Sequence, residues 1–163
     1  MRKITKESAK AFVNFEPYKK DNTEIEFSSA MGGRVAKFYL HGNLIAKISQ
    51  TGNMFQDRNH ESGLPMLGFS VDHQIVKIDL CGYHTRTTRE RINGVLDALG
   101  YDFRIAQRKG EQVLVKTYVH NYLKPKQVIL KLSDDSFDPD FAEKVFLSSE
   151  FVSGTDLNAI ADF

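Results

Sequence analysis

Basic and aromatic side chains alternate with apolar residues along several short segments of this chain. Side chains two residues apart lie on the same face of a strand, so each segment predicts a strand with one apolar and one cationic face. Lysine and arginine neutralise phosphate groups, and tyrosine rings stack on bases. The alternation predicts nucleic-acid binding by one sheet face; the alternative is a solvated face that keeps the sheet soluble. The residues on the cationic face are Lys37, Tyr39, His41, Lys47, Lys77, Arg104 and Arg108, with Lys116 and Tyr118 as further members.

A second candidate anion site lies at the start of a predicted helix. The segment HTRTTR at 84–89 supplies hydroxyl groups, guanidinium groups and the free backbone N–H groups of a helix N-terminus. Arg86, Thr88 and Arg89 are its candidate phosphate ligands. The alternative is that threonine only caps the helix and the arginines pair with nearby carboxylates. The sequence contains no glycine-rich phosphate loop, so it gives no support to nucleotide hydrolysis.

Candidate catalytic and metal-binding groups are sparse. The five histidines lack the spacing of a zinc-binding helix. Asp57, His60 and Glu61 could contribute to a metal site, although such residues are more often only part of a loop. Cys81 precedes His84 by three residues, and we favour a buried structural cysteine over a reactive thiolate. We therefore predict a protein that is not an enzyme and has no cofactor or metal.

Charge is divided unevenly along the chain. Residues 1–131 contain 21 lysines and arginines against 13 acidic residues, whereas residues 132–163 contain one lysine against eight acidic residues. We expect a basic α+β domain over 1–131, and an acidic helix and tail over 132–163 that is not an independent domain. The acidic segment could dock into a partner, lie over the basic face, or simply fray in solvent. The candidate partner-binding residues are Asp134, Asp135, Asp138, Asp140 and Phe163.

The overall composition is typical of a globular protein. The 163 residues are 41% hydrophobic and 26% charged, which is sufficient for a substantial core. The sequence has no apolar run of about 18 residues and no signal-peptide pattern. Its single cysteine excludes an internal disulfide. We expect a cytoplasmic protein without a membrane segment.

The elements that must position these side chains are predicted from periodicity and turn residues. The fold class is α+β: an antiparallel sheet of two hairpins plus a middle strand, packed on one amphipathic helix, with short helices near both termini. The first hairpin turns at Gly42-Asn43 and the second at Lys109-Gly110. The strands are predicted at 23–28, 36–41, 44–49, 75–81, 101–108, 113–119 and 127–132, with Gln50–Ser70 as an irregular connection and the last 15 residues loosely ordered.

Three helices are predicted. They cover 5–15, a central segment, and a segment that follows the Asp138-Pro139 cap. The central helix begins with a T-x-x-E capping box at Thr87 and ends before Gly100. Its apolar stripe places Glu90, Asn93, Gly94 and Asp97 on the outward face, with Arg89 and Arg91 on the flanks. Two outward carboxylates argue against a helix that reads a nucleic-acid groove.

Three strings carry a family resemblance: LHGNLIA at 40–46, GYHTRTTRERINGVL at 82–96 and AQRKGEQVL at 106–114. Together they resemble a group of small uncharacterised bacteriophage proteins over residues 35–115. The resemblance implies a phage origin, action inside an infected bacterial cell and a non-enzymatic role, including inhibition of a host defence complex. It transfers no site residue.

The leading hypothesis from the sequence is a phage accessory protein that binds nucleic acid or a nucleoprotein complex through its basic and aromatic sheet face. The rival hypothesis is a protein–protein inhibitor of a bacterial defence complex, in the manner of an anti-CRISPR protein, or of a replication complex. The rival would use the segment 50–70 and the acidic segment as contact elements.

Overall fold

A computed structural model of the chain describes residues 1–30, 32–57, 61–63, 66–119, 124–148 and 150–161. The helices in these ranges are α1 (Lys3–Val13), α2 (Arg86–Ala98), α3 (Pro139–Leu147) and α4 (Leu157–Ala161). The strands are β1 (Tyr18–Lys20), β2 (Thr23–Ala30), β3 (Gly33–Leu40), β4 (Asn43–Asp57), β5 (Met66–Asp79), β6 (Phe103–Arg108), β7 (Glu111–Tyr118), β8 (Lys126–Leu132), β9 (Ser136–Phe137) and β10 (Thr155–Asp156).

The strands form two sheets. One has six antiparallel strands in the order β1-β2-β3-β4-β5-β9, and the other has four in the order β10-β8-β7-β6, with β10 parallel to β8. The predicted α+β class with short helices near both termini is confirmed. The two predicted hairpins, however, lie in different sheets rather than in one. Helix α2 separates the two hairpins in the chain and contacts both β4 of the first sheet and β6 of the second.

Both sheets turn an apolar face towards one hydrophobic core. Phe38, Ile48 and Ile78 come from the six-stranded sheet, and Leu114 and Leu130 come from the four-stranded sheet. The helices complete this core. Their contributions, which include residues of the acidic C-terminal segment, are Phe12 of α1, Ile92 and Leu96 of α2, Phe146 of α3 and Leu157 of α4.

The two hairpin turns are made by residues with positive φ. In the first hairpin these residues are His41 (φ 51°) and Gly42 (φ 78°), so the turn lies one residue earlier than predicted and Asn43 already belongs to β4. A two-residue hairpin turn with positive φ at both positions matches the twist of the flanking strands. The second turn, at Lys109 and Gly110, is confirmed.

The segment Gln50–Ser70 contains strand rather than the predicted irregular connection. β4 and β5 pair from Ala46 with Ile78 to Asp57 with Met66, while pairing of β3 with β4 ends at Thr51. Beyond that point β4 and β5 form a two-stranded projection, Gly52–Asp57 with Met66–Val71, which we call the ribbon. The polar and glycine-rich sequence of the ribbon does not predict strands. The two strands are held together by backbone pairing, which leaves no pattern in the side chains.

Gly52 illustrates why the sequence of the ribbon is misleading. It lies at a β-bulge, where the register shifts between Thr51 and Gly52. A β-carbon at this position would lie 1.8 Å from the carbonyl oxygen of Ser70, so a side chain cannot be accommodated. The glycine that suggests a break in the strand is instead the residue that allows two backbones to approach closely.

The boundaries and surroundings of the helices differ in part from the predictions. The N-cap of α2 is Thr85 rather than Thr87, and its hydroxyl accepts from the backbone N–H of Thr88 at 3.2 Å. Gly94 is not outward: it is buried against α1, where a β-carbon would lie 2.6 Å from Cγ2 of Thr5. The apolar stripe of α2 could not show this because α1 covers a second side of the helix.

The C-terminal segment is more ordered than predicted. The cap of α3 is confirmed, since the Asp138 carboxylate accepts from the backbone N–H groups of Asp140 and Phe141, and Pro139 begins the helix. The prediction that the last 15 residues are loosely ordered was wrong for the described part. β10 pairs with β8, and Leu157 is buried.

Candidate nucleic-acid interface

Three lysines lie side by side across three adjacent strands of the six-stranded sheet. Lys37 of β3 is directly opposite Lys47 of β4, and Lys47 is directly opposite Lys77 of β5. They alternate with buried residues such as Phe38 and Ile48, so they occupy the face that points away from the core. Neighbouring strands lie about 4.8 Å apart, and the three positions therefore span about 10 Å. We call Lys37, Lys47 and Lys77 the lysine row.

The three lysines of the row form no ion pair among the described residues, although Asp138 lines the same cleft as Lys77. Glu26 is opposite Lys37 on β2, but its side chain interacts with Tyr39. Like charges directly opposite each other destabilise a sheet, so the row carries an electrostatic cost that an external anion would relieve.

Tyr39 lies beside the lysine row, two residues along β3 from Lys37. Its side chain is half-buried, and this burial raises the pKa of the hydroxyl, with further contributions from the charge of Glu26 and a hydrogen bond to it. Ile75 lies on the same face as the row, directly opposite Ser49, and is 42% exposed. The open face therefore combines three cations with an aromatic ring and an exposed aliphatic side chain.

Arg104 and Arg108 do not join the lysine row. Both are exposed on β6, which belongs to the four-stranded sheet, and they lie on the face that points away from the core. The prediction of one common cationic face was therefore wrong, because alternation assigns a residue to a face but does not say which strands share a sheet. Lys116 is on the core side of β7, where it is 6% exposed and its Nζ lies 3.2 Å from the carboxylate of Asp102.

Arg108 also shows that the four-stranded sheet is curled. Its Nη2 donates to Oε1 of Gln127 at 2.7 Å. Arg108 pairs with Glu111 of β7, and Gln127 pairs with Thr117 of the same strand. Glu111 and Thr117 would be about 20 Å apart along a flat strand. Curling brings these opposite corners of the sheet together across its outer face. Arg108 is therefore engaged within the sheet.

The arginines at the start of α2 form a second cationic set with Arg104. Arg86, Arg89 and Arg104 line a cleft of about 450 Å³. One nitrogen of Arg89, Nη1, donates to the carbonyl of His84 at 2.9 Å and to Oε1 of Gln107 at 2.8 Å. These bonds hold Arg89 in place without neutralising its charge.

Thr88 is placed differently from the arginines with which it was grouped. It is 3% exposed, and its hydroxyl lies 3.0 Å from that of Thr85, the N-cap residue. Its hydroxyl is thus used inside the helix cap and not at the surface where a phosphate would dock.

Arg91 has a structural role that the sequence does not reveal. It is 2% exposed, and its guanidinium donates to the hydroxyls of Thr5 at 2.5 Å and Thr23 at 3.4 Å. It thus joins α2 to α1 and β2. The only sequence signal was its position on the flank of the helix, which does not distinguish a solvated arginine from a buried one.

Glu90 connects the start of α1 to α2 and makes folding stability dependent on pH. Its carboxylate accepts from Nε of Arg2 at 2.9 Å and from the Thr5 hydroxyl at 2.8 Å. The hydrogen bond from Arg2 is the largest cause that lowers the pKa of Glu90 from 4.5 to about 2, against the opposing effect of burial. A carboxyl with a lowered folded-state pKa stabilises the protein above its unfolded pKa and loses this contribution as the pH falls.

We therefore expect Glu90→Gln to flatten the acid side of the stability profile. Thermal melts of the wild type should lose stability as the pH falls from 4.5 towards about 2, and those of the variant should lose less over the same interval. Glu143→Gln is a control on α3, outside the α1–α2 contact. Identical pH dependence in the wild type and Glu90→Gln would contradict the assignment.

The acidic residues proposed for partner binding have contacts within the protein. The Asp135 carboxylate accepts from the backbone N–H of Gly82 at 2.6 Å and lies 2.6 Å from Nε2 of His84. Asp134 accepts from the backbone of Asp135, and Asp140 accepts from the hydroxyl of Tyr101. The contacts of Asp135 and Asp140 fasten the acidic segment to the body, whereas those of Asp134 and Asp138 lie within the segment. Phe163 lies outside the described residues, and the partner-binding role of the set stays a prediction.

Cys81 has the surroundings of a structural residue. It is half-buried, its Sγ donates to the carbonyl of Leu44 at 3.1 Å, and burial raises the pKa of its thiol, which disfavours the reactive thiolate. His84 is paired with Asp135. In the proposed loop site His60 lies outside the described residues, and the described residues contain no group of three side chains arranged to hold a metal.

Comparison with protein families gives a match over the N-terminal part of the chain. A model of a phage protein family, described as Kyanoviridae Gp96 protein, matches residues 1–62. This match indicates a bacteriophage protein. It includes α1 and the first hairpin of the phage protein, with Lys37 and Lys47, but it ends before Lys77 and α2. The match does not confirm the specific strings that carry the resemblance, two of which lie beyond residue 62.

The other comparisons add no relative. No curated protein and no solved structure matches the chain. Among the described residues of the phage protein, no helix is long and apolar enough to cross a membrane.

Proposed function

We propose that this phage protein is a non-enzymatic accessory protein that binds nucleic acid through the lysine row. The observation that supports the proposal is the direct opposition of Lys37, Lys47 and Lys77 on an outward sheet face, with no ion-paired carboxylate in the described ranges. Such an array costs stability in the free protein and is relieved when phosphates replace water and counterions around it.

The shape of this surface favours single-stranded nucleic acid. An open sheet face with an aromatic side chain beside cations allows unpaired bases to stack while phosphates meet the lysines. Tyr39 and Ile75 supply the ring and the apolar contact on either side of the row. The cleft bordered by Arg86, Arg89 and Arg104, which Glu90 also lines, is a separate candidate site for a phosphate.

Fluorescence anisotropy with labelled single- and double-stranded oligonucleotides tests the proposal. We expect the full-length protein to bind single strands more tightly, with an affinity that falls steeply as salt is added. The full chain should be used because Phe146 and Leu157 of the acidic segment belong to the core. Absence of binding at low salt, or binding that does not respond to salt, would contradict the proposal.

The ribbon favours a second candidate function, inhibition of a bacterial protein complex through a direct protein contact. Phe55 is 49% exposed and Val71 is 43% exposed, and both strands of the ribbon extend beyond the pairing of β3. A two-stranded ribbon is marginally stable in water without further packing. Its edges can pair with a strand of a partner, and its apolar side chains can enter pockets of that partner.

We expect the double variant Phe55→Ser, Val71→Ser to lose a protein partner that the wild type retains after nuclease treatment of a bacterial lysate. Removal of two exposed apolar contacts should reduce capture at least about tenfold while the melting temperature stays nearly unchanged. Val152→Ser, at a position that is 69% exposed and distant in sequence from the ribbon, is the control. If the double variant captures as much partner as the wild type, the ribbon is not the surface that binds this partner.

A further inference from the structure

A small cleft lies where the end of the four-stranded sheet meets the acidic segment. Its volume is about 280 Å³, and Gln112 of β7 and Leu132 of β8, which are directly opposite each other, line it together. Asp135 and Asp156 of the acidic segment and His84, which precedes α2, also line it. No member of the lysine row lines this cleft, so binding of a free nucleoside in it can be measured separately from binding of a strand at the lysine row.

Gln112 has an unusual environment for a buried amide. The residue is only 4% exposed, and neither Nε2 nor Oε1 has a hydrogen-bond partner in the part of the chain that the structure describes. A buried polar group without a partner costs free energy, and nearly all such groups in folded proteins are paired. Because no bond holds this amide, rotation of the side chain towards the cleft breaks none and lets the amide meet a ligand.

The charges around the cleft limit which ligand it can accept. Glu111, Asp135 and Asp156 contribute three carboxylates to the lining, whereas Lys131 contributes one ammonium group and His84 an imidazole. An excess of carboxylates repels a phosphate but accepts hydrogen bonds from amino and hydroxyl groups. The volume of about 280 Å³ lies just below the usual range for ligand sites, roughly 300 to 1,000 Å³, which suits one ring system rather than a dinucleotide.

We propose that this cleft binds an uncharged nucleobase or nucleoside whose edge presents a donor beside an acceptor. The amide of Gln112 is the complement of that edge, since Oε1 accepts and Nε2 donates in one plane. Hydroxyl or amino groups of the same ligand donate to Asp135 or Asp156. A free nucleoside and an unpaired base of a bound strand carry the same edge, and the experiment separates these two sources.

The test is an NMR titration of the full-length protein, observed at the side-chain amide of Gln112. The probes are adenosine, uridine, adenosine monophosphate and a short single-stranded oligonucleotide. We expect saturable shifts of the Gln112 amide with a nucleoside and weaker binding of the monophosphate. Shifts with the oligonucleotide alone would assign the site to a base of a bound strand. No saturable shift of this amide with any probe would overturn the proposal.

Gln112→Leu provides an independent arm, with Gln127→Leu on the outer face of the same sheet as its matched control. We expect Gln112→Leu to weaken binding of the effective probe at least about tenfold, and Gln127→Leu to leave it unchanged. Gln112→Leu should also raise the melting temperature, because it removes an unpaired buried amide. Binding that survives in Gln112→Leu would overturn the proposal. If that variant does not fold, the shifts in the wild type decide the question.

Discussion

Replacement of Lys37, Lys47 and Lys77 together by glutamine is expected to weaken binding of single-stranded nucleic acid about a hundredfold near 0.1 M salt. Each lysine that meets a phosphate releases about 0.7 counterion from a single strand, so the slope of log K against log salt should fall by about 2. Anisotropy titrations at four or more salt concentrations measure both quantities. The triple variant should melt at the same temperature as the wild type or higher, because opposed like charges are removed.

The matched control is the triple variant Lys6→Gln, Lys10→Gln, Lys19→Gln. These lysines are exposed on α1 and β1, and their replacement changes the net charge by the same amount. The control should lose little affinity and keep most of its salt slope. Equal losses in the two triple variants would mean that net charge drives binding, and the assignment to the lysine row would be wrong.

Gly94→Val is expected to cost about 3 kcal/mol of folding stability. A β-carbon at this position would lie 2.6 Å from Cγ2 and 3.3 Å from the carbonyl oxygen of Thr5, so a branched side chain must push α1 away from α2. That movement would also strain the buried hydrogen bond between Arg91 and Thr5. Urea denaturation of the variant and the wild type measures the difference.

Ala98→Val is the control for a β-branched side chain elsewhere in α2, since helix propensity alone would favour valine over glycine at position 94. Ala98 is an exposed residue of the same helix, and its replacement should cost only about 0.6 kcal/mol. If Gly94→Val costs no more folding stability than Ala98→Val, then α1 does not pack closely on Gly94. The contact by which Arg91 of α2 reaches Thr5 of α1 would then also need revision.

Much of the local structure is predictable because it depends on neighbouring residues. The positive φ needed at Lys109 and Gly110 and the cap at Asp138 and Pro139 are properties of a few consecutive residues, and the structure has both. The N-cap of α2 was missed because Thr85 and Thr87 both suit a cap. Only the conformation of the chain before the helix selects Thr85.

The candidate site is predictable in part. Alternation correctly places Lys37, Lys47 and Lys77 on the face opposite the core, since the side-chain period of a strand is two. It could not show that Arg104 and Arg108 belong to another sheet, because sheet membership is decided by pairing between distant segments. Gln112 was missed entirely, since nothing in its neighbours shows that its amide is buried without a partner.

By itself, then, the sequence determined the α+β class, most strands and helices, and the outward placement of Lys37, Lys47 and Lys77 on their strands, all of which follow from short-range periodicity and turn chemistry. Only the tertiary structure decided that Lys37, Lys47 and Lys77 share one register row, that Gly94 and Arg91 are buried, and that residues 50–70 contain strand. These features depend on which remote backbones and side chains meet. A contact between residues far apart in the chain leaves no local pattern in the sequence of either one.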